Sequence, residues 1–135
     1  MKIWPLAVMP LAVWLLIPLL SFAQELISSE PIPEYNISHE AKFKGVVAEM
    51  NQQICPMTGG MDWHLTVRID NKIYEVHVAP VKFAKIYEAD VRKGDWIEIV
   101  GVKTQFHHAD VILPREIKDG KHDFLFRDEK GKPFW

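Results

Sequence analysis

Five residues between positions 55 and 77 carry side chains suited to metal or thiol chemistry: Cys55, Met57, Met61, His64 and His77. Thiolate and thioether sulfur suit copper(I), and imidazole suits copper, zinc or iron. The expected centre is Cys55, His64 and His77, with Met57 or Met61 as a weak extra ligand and a copper or zinc ion as occupant. The plain alternative is that the methionines pack a loop onto the fold, the cysteine is a small buried group, and the histidines bond to backbone. A catalytic thiol would also need a base and a lowered pKa. His64 is the candidate base, but the sequence shows neither an oxyanion hole nor an orienting carboxylate.

These side chains must be positioned by a β-rich chain. Trp63 to Asp70 alternates, with Leu65, Val67 and Ile69 on one face and His64, Thr66 and Arg68 on the other. Ile73 to Val78 returns with Tyr74, Val76 and Val78 inward and Glu75 and His77 outward. A two-residue turn at Asp70-Asn71 would set His64 directly opposite His77, with Cβ atoms roughly 4.5–5.5 Å apart. A bulged turn would shift that register.

Around this hairpin, Phe43, Val46, Val47 and Met50 mark a first strand, with Gly45 as a bend or bulge. Gln52 to Asp62, with Pro56 and Gly59-Gly60, predicts a loop. Pro80 opens a helix whose stripe is Phe83, Ile86, Tyr87 and Val91, ending at Lys93-Gly94-Asp95. Strands follow over Trp96 to Val102 and Asp110 to Lys118, with Pro114 demanding an edge or bulge. Asp119-Gly120 turns into a last strand, Asp123 to Arg127. Three strands, a helix and two more strands is the order of an OB-fold, a five-stranded Greek-key barrel. The expected class is therefore all-β, OB-fold-like, with one helix between strands three and four and an extra C-terminal strand. An SH3-like barrel has no comparable helix.

Other candidates carry weaker signals. His107-His108 reads as a solvated loop pair, since adjacent residues of an extended chain point apart. The strand aromatics, Trp63, Trp96, Phe106, Phe124 and Phe126, are expected in the core. Phe134-Trp135 is expected to fold back onto the barrel.

The chain has 135 residues, with 16 Lys plus Arg, 18 Asp plus Glu, six His and one Cys. That length excludes a multidomain enzyme. One cysteine excludes a disulfide framework, a Cys₄ zinc site and a c-type haem attachment. Residues 1–23 have Lys2, an apolar run and a Ser21-Phe22-Ala23 ending, the pattern of a Sec signal peptide cleaved before Gln24. Pro5, Pro10 and Pro18 count against a permanent helical anchor, and no Cys near Ala23 supports a lipoprotein. Residues 24–40 read as an irregular arm and 41–135 as the domain. Export implies a periplasmic or secreted protein that meets the membrane only transiently, through its signal peptide. An acidic exported domain is a poor nucleic-acid partner, because phosphate contacts need a basic face. The expected partner is a periplasmic protein or a small ligand.

Three stretches resemble a known family. His64-Leu65-Thr66-Val67 with Glu75-Val76-His77-Val78-Ala79-Pro80 resembles its "HLTL … EVHLGP" signature, and Lys93 to Gly101 resembles "KGDxVEVTG". The tail from Arg115-Glu116-Ile117 through Leu125-Phe126-Arg127-Asp128 to Gly131-Lys132-Pro133-Phe134-Trp135 resembles "REVKxGxxxLxLRDxxGxPLW". These belong to small exported bacterial proteins that share the OB-like domain of magnetosome proteins MamS and MamX. The resemblance spans Phe43 to Trp135 and implies the fold and an exported setting. Its haem-bearing members look to carry Cys-x-x-Cys-His motifs, which this chain lacks. Ala79 stands where Gly is usual and Lys82 where an aromatic is common. The expected function is thus an exported OB-fold binding or interaction module with a transition metal as candidate ligand. A small thiol- or metal-dependent redox enzyme on the same cluster is the alternative.

Overall fold

The computed structural model describes residues 30–86, 91–120 and 122–135. The signal peptide expected over residues 1–23, the start of the arm and Tyr87 lie outside the described residues.

The alternating patterns form strands β2 (Met61–Ile69) and β3 (Lys72–Pro80). Leu65, Val67, Tyr74, Val76 and Val78 are buried along their inward faces. Asp70 and Asn71 make the two-residue turn, with φ of 48° and 65°. Such mirror-image turns match the twist of a hairpin, and Asn and Asp tolerate left-handed backbone.

Strand β1 (Glu40–Ile54) is long enough to serve two neighbours. Its first half pairs with β4 (Trp96–Phe106) and its second half with β2, across a bulge between Val47 and Glu49. Gly45 serves close approach instead of forming the bulge: a Cβ there would lie 2.5 Å from the Arg68 carbonyl oxygen. The loop expected over Gln52 to Asp62 is shorter than expected. Gln52 and Gln53 continue the ladder opposite Trp63 and Asp62, because backbone pairing does not require apolar side chains. The remaining turn is tied by Cys55 N–H donating to Gly60 O at 2.8 Å and Gly59 N–H to Cys55 O at 2.7 Å.

Helix α1 (Val81–Ile86) connects β3 to β4. It buries Phe83, and Val91 beyond it is buried too. Strand β5 (Ala109–Asp119) pairs antiparallel with β4 and, in parallel, with β3 through Glu75↔Val111 and Val76↔Ile112. The order β3-β2-β1-β4-β5 thereby closes on itself. This connectivity, with a helix between the third and fourth strands, is the OB-fold. A short β6 (His122–Leu125) adds the expected extra strand beside β5. Pro114 pairs with Gly101 beside a bulge, as its missing N–H requires.

The interior is filled by Val47, Val67, Val76, Ile97, Ile99, Ile112, Ile117 and Phe126, all nearly inaccessible. Trp96 departs from the core expectation at 72% exposed. Ile97 and Ile99 take the inward positions, and period-two alternation turns Trp96 outward.

Two terminal segments border one end of β3, where Ile32, Pro33, Pro133 and Trp135 line a cavity with His77 and Ala79. In the arm, Tyr35 donates to Glu40 Oε2 at 2.6 Å, and Arg115 forks onto the two Glu40 oxygens at 2.8 and 2.7 Å. At the other end, Phe134 N–H donates to Phe126 O at 3.1 Å, and the Trp135 ring lies 5.4 Å from that of Phe83. The tail therefore folds back. The Arg127 guanidinium is layered between arm and tail, 4.7 Å from the Tyr35 ring and 5.6 Å from that of Trp135.

Candidate metal centre

The hairpin register puts His64 opposite His77. The Asp70-Asn71 turn fixes that pairing, and a bulge between Trp63 and His64 shifts only what lies beyond. The two imidazole centroids lie 4.1 Å apart, with the ring planes tilted by 32°. Cys55, in the β1–β2 loop, brings Sγ to 3.4 Å from His77 Nδ1. One donor atom from each of Cys55, His64 and His77 lies within 4.8 Å of the others. The three residues are only 1, 2 and 8% exposed. An outward strand face is usually solvated, but here the loop, arm and tail line a cavity beside Cys55 and His77.

Glu75 stands behind both rings. Its Oε1 is 2.8 Å from His64 Nδ1 and 3.0 Å from His77 Nε2, the latter off the N–H line and so not a hydrogen bond. The Gln53 amide also donates to Glu75 Oε1 at 3.2 Å. With its proton on Nδ1, His64 donates to Glu75, which only accepts, and faces the Gln53 amide nitrogen, itself a donor, 2.5 Å from the same atom. That leaves the lone pair on His64 Nε2, which is buried with no partner. The nitrogens turned away from Glu75, His64 Nε2 and His77 Nδ1, are the ones free to share an ion with Cys55. A ligand histidine whose other nitrogen meets a carboxylate is the usual outer-shell arrangement of metal sites.

The electrostatics agree with a site built for neutral imidazole. Burial, and then the neighbouring His64, hold His77 below the ordinary imidazole range. Burial pushes the Cys55 thiol up, which disfavours a free nucleophilic thiolate. An unpartnered buried nitrogen carries a desolvation penalty of about 1–3 kcal/mol. A bound cation would remove that penalty and favour the thiolate.

The two methionines separate. Met57 lines a cavity with Cys55 and His77 and packs against the cluster of Phe106, Val111 and Leu113. Met61 is 46% exposed and borders a different depression beside Pro80 and Val81. His107 and His108 are exposed at the β4–β5 turn with φ of 50° and 62°, away from the centre.

Sequence reasoning passed over Glu75, Gln53 and Asp62. Glu75 was legible through the diagonal cross-strand neighbours of His64. Asp62 is 3% exposed, its Oδ2 accepts from Thr58 Oγ1 at 2.9 Å, and its Oδ1 has no partner. No local pattern announces that burial.

The model of a family described as the MamS/MamX magnetosome protein family matches residues 39–124. Among curated proteins none matches the chain. Solved structures similar to it include the mitochondrial single-stranded DNA binding protein Rim1 from S. cerevisiae, at 12% identity and TM-score 0.46, covering 67% of this chain and 98% of that one. Another is the second OB-fold domain of replication protein A from Methanococcus maripaludis, at 16% identity and TM-score 0.44, covering 72% and 95%.

Proposed function

The chain belongs to the MamS/MamX magnetosome protein family, and we propose that it is an exported OB-fold binding module whose ligand is one copper or zinc ion. The observation that supports this reading is the convergence of Cys55, His64 and His77 in a buried cluster backed by Glu75. Ligand bonds of about 2.0–2.3 Å around one centre separate their donors by roughly 3.3–3.8 Å. The Cys55–His77 contact already has that spacing, and the remaining donor is within a small side-chain adjustment. Cys55 would supply thiolate, and His64 and His77 neutral imidazole. A set of two histidines and one cysteine, with a methionine nearby, favours copper or zinc over harder cations. Met57, which lines a cavity with Cys55 and His77, supports that role better than Met61, which borders a different depression.

The proposed location is the periplasm or outside, after removal of residues 1–23. The partner is a small ligand or another exported protein, and nucleic acid is not part of the reading. The arm and tail border the β3 end of the face that OB-folds use for oligonucleotides, and the chain is acidic overall. The redox-enzyme alternative gains nothing from a Cys that is 1% exposed with its thiol pushed up by burial.

The test is titration of the purified protein with copper(I), zinc and cobalt(II). One equivalent should bind, with a thiolate-to-metal charge-transfer band for cobalt. Cys55→Ala should lose the band, and His64→Ala and His77→Ala should each weaken uptake. Equal, negligible uptake by wild type and all three variants would refute the proposal.

A further inference from the structure

Cys55, His64 and His77 offer one sulfur and two nitrogens, and among the described residues no carboxylate joins that set of donors. Glu75 meets the opposite nitrogens of the two rings, His64 Nδ1 and His77 Nε2. The other sulfur at hand is that of Met57, which lines the same cavity of about 170 Å³ as Cys55 and His77. A structural zinc site takes four ligands drawn from thiolate, imidazole and carboxylate, and here such donors stop at three. Two imidazoles and a thiolate, with a weak and distant thioether, form instead the donor set of electron-transferring copper.

The surroundings of the sulfur suit that chemistry. Copper(II) destroys accessible thiols by driving them to disulfides, since oxidation follows exposure. Cys55 is the only cysteine of the chain and is buried, so a copper(II)–thiolate bond can persist. The backbone amides of Met57 and Thr58 hydrogen-bond the Cys55 sulfur and favour its thiolate, and Val78, Ala79 and Leu113 line the cavity beside it. Hydrogen bonding and hydrophobicity around the sulfur are what tune the potential of such centres. Electron transfer needs no substrate atom to reach the ion, so the burial that argues against thiol enzymology does not argue against it. Trp135, 42% exposed, lines the same cavity, so the centre lies near the surface without opening to it. We infer that the occupant is a single copper ion held by Cys55, His64 and His77, and that the protein is a one-electron carrier. This rests on the metal reading above and narrows it. Copper(II) takes one electron from an outer-sphere one-electron reductant and becomes copper(I), which returns it to an outer-sphere one-electron oxidant. No ligand bond breaks and no proton moves.

The experiment loads the purified protein with one equivalent of copper(II) and follows it by visible absorption and electron paramagnetic resonance. Hexacyanoferrate(II) and hexacyanoferrate(III) serve as the reductant and oxidant. An intense thiolate-to-copper(II) band, a narrow copper hyperfine splitting and reversible bleaching over repeated cycles are expected. Cys55→Ser should lose the band. Met57→Leu keeps all three strong donors, so it should keep the band and raise the potential, because an axial sulfur favours copper(II). A colourless tetragonal copper(II) signal, or irreversible bleaching with oxidation of Cys55, would overturn the inference. An unchanged potential in Met57→Leu would overturn the part given to Met57. Zinc and cobalt(II) uptake by the same preparation separates the two readings. Uptake that depends on Cys55, beside a colourless copper(II) form, defeats the electron carrier alone, whereas no uptake of any of the three metals defeats both.

Discussion

Replacing Glu75 by Gln isolates the part of the site that touches no ion. The substitution keeps shape and a hydrogen-bonding carbonyl but removes the charge 2.8 Å from His64 Nδ1 and 3.0 Å from His77 Nε2. Outer-shell partners of ligand histidines contribute about 10- to 100-fold in metal affinity, or roughly 1.4–2.7 kcal/mol at 1.36 kcal/mol per decade. Glu75 is 34% exposed, so solvent screens it and the lower end, about tenfold, is expected. The assay is competition for zinc against a chromogenic chelator at pH 7. Urea unfolding of the metal-free protein runs beside it, because one hydrogen bond to a charged acceptor is worth about 1.5–3 kcal/mol and its loss here is expected at or below the low end. Weakened zinc binding is the expected outcome, whatever the metal-free stability does. If Glu75→Gln loses metal-free stability yet binds zinc as tightly as wild type, the carboxylate is a fold contact only. Glu75 would then have no part in setting the histidine tautomers.

Other perturbations test the frame. Arg115 holds the Glu40 carboxyl below its ordinary range, so the stability it lends is present above the unfolded value and lost as pH falls through the folded one. Glu40→Ala should therefore lower stability by about 2 kcal/mol at pH 7, and the gap should close under acid in urea unfolding at pH 7 and pH 3. The β4–β5 turn holds His107 and His108 at φ of 50° and 62°, so changing the pair to Asn-Gly should raise stability by about 1 kcal/mol in thermal melts. Phe126 is 1% exposed, and Phe126→Ala should cost about 3–5 kcal/mol, seen as a lower urea midpoint. A Cβ at Gly101 would meet the Leu113 carbonyl at 2.4 Å. Gly101→Ala should thus reduce soluble folded yield, with circular dichroism as the check.

Much of the fold was legible because local rules decided it. The Asp70-Asn71 turn allowed a two-residue hairpin, and that alone placed His64 opposite His77. The helix between strands three and four, and Pro114 at a bulge, followed from proline geometry. The length of β1 past Met50 was hidden, because Gln52 and Gln53 pair through backbone atoms that no side-chain pattern reveals. The candidate site was legible in Cys55, His64 and His77, which share one hairpin and its adjoining loop. Its depth was not. His77 occupies an outward face, yet it is buried where Pro133 and Trp135, far along the chain, line a cavity with it. The same long-range approach brings Arg127 to the cavity that Asp62 also borders.

That approach also sets an order of events. Cys55, His64 and His77 belong to a loop and a hairpin whose contacts are short in sequence, whereas Pro133 and Trp135 come to the cavity from the far end of the chain. Contacts near in sequence close with less entropy loss and form ahead of distant ones. On that ground the three donors are expected to meet while their face is still open to solvent and the tail to arrive afterwards, an order that pulse-labelling hydrogen exchange would check. For a chain that folds from an extended state, an ion has its freest path to the site in that interval and a slower one once Trp135 has settled against Phe83.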